Sequence, residues 1–104
     1  VNWFENVTMT AQRQSVYDAM EREDEGLGSC AYRTLLQLGD GDMRMRLDDA
    51  AWLASNDEGP PLVEWVGMYR LTSFGREIFD AANRGDWQTV VRCTTNPNID
   101  GALN

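Results

Sequence analysis

Nine arginines carry all the positive charge of this chain; it contains no lysine and no histidine. Those absences bound its chemistry. Without histidine there is no Ser–His or Cys–His pair to activate a nucleophile, and without lysine there is neither a Schiff base nor a P-loop. Cys30 and Cys93 stand far apart, form no CxxC pair and lack a histidine partner, which argues against zinc. Gly26-Leu27-Gly28 lacks the third glycine and the preceding strand of a dinucleotide loop. Asp40-Gly41-Asp42 opens like a calcium loop, but Arg44 occupies the next ligand position. Asp48 and Asp49 are paired carboxylates, yet neighbours on a helix point roughly 100° apart and do not converge on one atom. A solvated pair is the expectation there. The chain is therefore expected not to be an enzyme and to take no metal and no cofactor.

What remains is charge. The formal net charge is -8. Ordinary acidic solubility, residence in a salt-rich cytoplasm and mimicry of a polyanion each account for it, and composition does not choose among them. A charge of this sign argues against tight nonspecific DNA binding at low salt. The 104 residues, 42% of them hydrophobic, predict one domain over residues 1–104 with a modest core. No apolar run approaches the ~20 residues of a membrane span. Val1-Asn2-Trp3-Phe4-Glu5 has neither a basic nor an apolar leader region, so a cytoplasmic location with free thiols is expected. Trp3 and Phe4 suit an arm packed on the domain or on a second subunit.

The elements that must position these residues can be read from spacing. Thr8 or Thr10 is a cap for a helix from Ala11 to about Glu23, with Val16, Ala19 and Met20 on one face. The acidic run Glu21 to Glu25 opposes the dipole at its end, and Gly26-Leu27-Gly28 stops it. Ser29 begins a short second helix holding Ala31, Leu35, Leu36 and Leu38, stopped by Gly39. Asp42 caps a third, from about Met43 to Ser55, with Met43, Leu47, Ala50, Ala51 and Ala54 in one stripe. A rival reading is open. Leu36-Gln37-Leu38 and Met43 to Leu47 alternate around Asp40-Gly41, which is also the pattern of a β-hairpin.

Asn56 to Pro61 forms a loop that no helix crosses. Two apolar runs follow, Leu62 to Val66 and Gly67 to Leu71, and predict a tight hairpin with Tyr69 and Leu71 on one face and Met68 and Arg70 on the other. Trp65 is expected in the core. Thr72 or Ser73 caps a fourth helix containing Ile78, Phe79, Ala81 and Ala82, closed by Gly85. Gly75 suits a close approach to a neighbour. Asp86 caps a last short helix with Trp87, Val90 and Val91 as its apolar face, and the tail beyond Cys93 looks irregular.

That order, with Tyr69-Arg70-Leu71-Thr72-Ser73-Phe74-Gly75-Arg76 at the end of the hairpin, resembles winged helix-turn-helix regulators, including repressors of haloarchaea and their viruses. The resemblance covers roughly residues 8–84, leaving a short helix and tail over 85–104. It implies an α+β, mainly α fold and duplex DNA binding, with the third helix in the major groove and the hairpin as a wing beside it. Arg44 and Arg46, at the start of that helix, would then read guanine or grip phosphate, and Arg70 on the wing would contact phosphate. A homodimer fits the same reading. The face opposite Leu47 holds Met45, Asp49 and Trp52, which is apolar and acidic and better suited to a protein. The second expectation is therefore an acidic winged-helix interaction module, such as a viral inhibitor or DNA mimic, that binds a basic protein surface.

Overall fold

Thr10 opens the first helix: its Oγ1 accepts the backbone N–H of Arg13 at 3.2 Å. The computed structural model describes residues 8–23, 27–41, 47–55 and 60–95. Arg44, Met45 and Arg46 lie outside them, as do Met43, the Asp42 cap, the Trp3–Phe4 arm, the last two residues of the acidic run, and the tail from residue 96; Thr94 and Thr95, expected to be irregular, are helical. Within them the chain forms α1 (Ala11–Glu23), α2 (Ser29–Gly39), α3 (Leu47–Ser55), β1 (Val63–Trp65), β2 (Tyr69–Leu71), α4 (Ser73–Arg84) and α5 (Trp87–Thr95). The architecture is α+β and mostly helical, with one two-stranded antiparallel sheet. No helix among the described residues is long and apolar enough to cross a membrane.

The second helix is the centre of the fold. It packs against α1, α3, α4 and β2. Ala31, Tyr32, Thr34, Leu35, Leu36, Gln37 and Leu38 are all buried, so nearly its whole circumference faces protein. This decides between the two readings of Leu36-Gln37-Leu38: the segment is helical, and the hairpin alternative fails on its first limb. Alternation misled because Gln37 is polar yet buried. Leu35, Leu36, Leu53, Leu62 and Ile78 are completely enclosed. Each such side chain contributes about 1.5–3 kcal/mol relative to exposure. Tyr32 is enclosed as well, and its hydroxyl has no hydrogen-bond partner among the described residues. Burial raises its pKa above the usual phenol range, because the phenolate would be stranded without water.

The third helix sits between α2 and the hairpin. Its inner residues are Ala50 and Leu53, three apart; Ala54 is half-buried and Ala51 is exposed. The stripe expected from sequence is thus corrected: Ala51 leaves it and Leu53 enters, because α3 presents its i, i+3 line to α2. At its C-terminal end Leu53 C=O accepts the N–H of Leu62 at 2.9 Å, which fastens α3 to the start of the hairpin.

In the hairpin Val63 pairs with Leu71, Glu64 with Arg70, and Trp65 with Tyr69. Gly67 has φ +88°, a conformation that a Cβ disfavours, and Val66 N–H donates to Met68 C=O at 2.9 Å across the turn. Tyr69 and Leu71 lean toward the core and Arg70 faces out, as the strand period requires. Trp65 corrects the expectation that it is core: it is 65% exposed although Val63, two residues earlier on the same face, is buried. The strand runs past the edge of the helices, so the Trp65 indole lies against the cross-strand Tyr69 ring rather than in the core.

Thr72 ends the sheet and starts α4, its Oγ1 accepting Gly75 N–H at 3.0 Å. Ile78, Phe79, Ala81 and Ala82 turn inward, and Gly85, at φ +74°, closes the helix. Asp86 then caps α5. Its Oδ1 accepts Thr89 N–H at 3.1 Å, and its other oxygen accepts the Thr89 hydroxyl. These hydrogen bonds from Thr89, side chain first, hold the Asp86 carboxyl below its ordinary pKa, with nearby Arg84 adding to them. A depressed carboxylate contributes stability that is complete above its unfolded pKa and is lost as pH falls through the folded one. Replacing Asp86 with Ala is expected to cost about 1 kcal/mol at neutral pH. Thermal melts at pH 7 and at pH 3 or below check this: the gap between wild type and variant should narrow in acid, and a gap independent of pH would contradict the role given to the carboxylate.

Candidate functional site

Two surfaces stand out where large apolar side chains stay open to solvent. They are the outer face of α3 with Trp52, and the hairpin end with Trp65, Val66 and Met68.

On α3 the outer face begins with Asp48 and Asp49 in the first turn and reaches Trp52 one turn later. Carboxylates in the first turn complement the positive end of the helix, which is one reason the sequence folds this way here. Side chains on a helix lean toward its N-terminus, so the indole of Trp52 covers the turn that carries both aspartates. Trp52 is 38% exposed. Across from this face lies the first turn of α2, and between the two is an open cleft of about 380 Å³ lined by Gly28, Cys30, Ala31, Asp48, Asp49 and Trp52. Asp49 is half-buried, and its Oδ2 lies 3.3 Å from Thr34 Oγ1. The single proton of that hydroxyl has a nearer acceptor, the Cys30 carbonyl at 3.0 Å, so the Asp49 carboxylate keeps most of its accepting capacity. Cys30 is half-buried and Cys93 buried, and the two form no disulfide.

The hairpin is electrically quiet. Arg70 Nε donates to Glu64 Oε2 at 2.9 Å from the paired position on β1, with both side chains largely in solvent. Such a surface pair contributes ~0–1 kcal/mol and opens readily, so Arg70 stays available to another anion. Trp65 meets Tyr69 edge to face with centroids 5.0 Å apart, which props the indole at the end of the sheet. No group of three or more metal-ligating side chains occurs among the described residues.

No family model, curated protein or solved structure matches the chain.

The structure brings together two of the three residues expected on the partner face, Asp49 and Trp52, and adds Asp48 to them. Met45 and the two arginines assigned to DNA lie outside the described residues. Arg70 stands apart, on the hairpin. Spacing did not reveal the share of α2 in the cleft. Residues 28–31 and 48–52 meet only because α2 and α3 pack, and the one sequence signal was the helix face shared by Asp49 and Trp52.

Proposed function

We propose that this chain is a winged helix-turn-helix module of a DNA-binding transcriptional regulator, acting without catalysis or cofactor. The observation that carries this reading is the mounting of α3. It rests on α2, its C-terminal end is fastened to the hairpin through Leu53 and Leu62, and the hairpin runs through the Thr72 cap directly into α4. A recognition helix needs that arrangement: rigid support behind, an open outer face, and a hairpin beside it. Arg44 and Arg46, immediately before α3, are assigned to base edges and phosphate, and Arg70 to phosphate.

The net charge of -8 sets the conditions. Long-range repulsion from a duplex is strong in dilute buffer and screened in molar salt, where the Debye length is about 3 Å. Salt also weakens phosphate contacts, so base and shape contacts must supply more of the affinity. Binding of genomic DNA fragments, followed at low and at molar salt, tests the reading. Replacing both Arg44 and Arg46 with Ala is expected to reduce affinity about tenfold or more and to flatten the salt dependence by nearly two units of slope. No binding at either salt, or equal binding by the variant, would remove the assignment.

One observation favours a second reading. The described outer face of α3 offers two carboxylates and an indole and no cation, which suits a basic protein surface better than phosphate. On that reading the chain is an acidic interaction module, and Asp48, Asp49 and Trp52 carry the contact.

A further inference from the structure

We propose that the cleft between the first turns of α2 and α3 is a binding site for an organic cation, of the size of a guanidinium or a quaternary or alkyl ammonium group. Three observations combine there. The cleft, at about 380 Å³, has the dimensions of a small-ligand site rather than of a packing gap. One wall is an indole left 38% exposed, and the Trp ring is the aromatic face to which cations bind best. The rim carries two carboxylates, Asp48 exposed and Asp49 half-buried, neither in an ion pair among those described.

The electrostatics can be weighed. Helix N-termini each place roughly half a positive charge at their ends, and two border this cleft. Two full carboxylate charges outweigh both, so the lining of the cleft among the described residues is net negative. An anion is disfavoured there, and a small hard metal ion would find only two carboxylate ligands and an apolar wall. A soft organic cation uses all the parts. Its charge is drawn by the combined field of Asp48 and Asp49, its weakly hydrated body suits the indole, and its apolar edge suits Ala31. The half-exposed carboxylates also need not be stripped of water before the ligand arrives, which keeps the desolvation cost low.

The cation has two sources, a free small molecule or the side chain of a basic protein. Only the second rests on the acidic-face reading of α3. Neither rests on DNA binding, so failure of the Arg44/Arg46 experiment leaves this proposal standing. The intact chain is titrated at low ionic strength with choline and with a blocked arginine amide. Each is set against an uncharged counterpart: the choline analogue with carbon in place of nitrogen, and a blocked citrulline amide. The readout is the indole N–H resonance of Trp52, assigned by its loss in W52F. The expected result is a saturable shift with either cation, at least about tenfold tighter than with its uncharged counterpart and weakened about tenfold in D48N/D49N. Far-UV circular dichroism confirms that the variant is folded. Binding of choline marks the small-molecule source, and binding of the arginine amide alone marks the side-chain source. No shift with either cation, equal shifts with the neutral counterparts, or undiminished binding by D48N/D49N would overturn the site.

Discussion

Gly75→Ala is expected to destabilise the fold by about 3 kcal/mol or more, a fall in melting temperature of roughly 12–24 °C for a domain of this size. The cause is steric and local. A Cβ built on Gly75 would sit 1.9 Å from the carbonyl oxygen of Leu62 and 2.9 Å from its carbonyl carbon. Both are backbone atoms, so no rotamer change relieves the contact. The Leu62 peptide cannot retreat cheaply either. Its N–H donates to Leu53 C=O at 2.9 Å and its C=O accepts Thr72 N–H at 3.1 Å. Moving α4 instead would pull Thr72 from Pro61, whose carbonyl accepts the Thr72 hydroxyl at 2.6 Å. One methyl group thus sets α4, the hairpin and α3 against each other. Gly67→Ala is the useful comparison, because its Cβ would meet nothing within 4 Å and only its φ of +88° is strained. That variant should cost about 1–2 kcal/mol. Urea unfolding of both variants checks the order, with midpoints falling at constant slope. A Gly75→Ala midpoint close to wild type would mean that α4 does not approach residues 61–62 this closely.

The same residue shows what could be read in advance. Thr72 and Gly85 are local signals, each acting within one turn, and α4 has the cap and stop that they predict; Gly75 marks a close approach, but not that its neighbour is the Leu62 backbone. Val16, Ala19 and Met20 likewise mark the buried face of α1 by spacing alone. Reading failed where burial depends on partners distant in sequence. Leu36-Gln37-Leu38 left a strand open beside the helix that it forms, because α2 is enclosed on nearly all sides and so loses the one-sided pattern of a surface helix. Trp65 shares a strand face with Val63, but where the sheet passes the edge of the helices is a property of the assembled fold. The cleft is of the same kind. Asp49 and Trp52 could be seen as one helix face, while Asp48, Gly28, Cys30 and Ala31 enter only through the packing of α2 on α3. Arg13 is the sharpest case. It lies three residues before Val16, on the apolar face of α1, and nothing nearby in sequence explains a buried cation.

Asp40→Ala is expected to destabilise the protein by about 3–5 kcal/mol, because it leaves that cation uncompensated. Arg13 is 5% exposed and is held by its full fork. Nη1 and Nη2 donate to the two carboxylate oxygens of Asp40 at 2.6 and 2.7 Å, Nε donates to Asn83 Oδ1 at 2.7 Å, and Nη1 also donates to the Thr8 carbonyl at 3.0 Å. The guanidinium lies over the Phe79 ring, 4.9 Å from its centroid. Helix α1 is thereby joined to the end of α2 and to α4, a geometry that the point charge of a lysine does not reproduce. The two partners are not equivalent. The Asp40 side chain is 31% exposed against 6% for Arg13, so a lone Asp40 can rehydrate and a lone Arg13 cannot. Arg13→Met, which keeps the bulk of the chain, should therefore cost less than Asp40→Ala, about 1–3 kcal/mol. The double variant should be no worse than Asp40→Ala alone, since the charge that made the single variant costly is gone. Denaturant unfolding of the four proteins gives the coupling directly. Repeating it in molar salt separates this pair from the exposed Glu64–Arg70 pair: screening reaches the surface pair, while the enclosed fork should keep nearly all of its coupling. Additive single-variant effects, or a coupling that disappears in salt, would show that Arg13 is solvated rather than clasped.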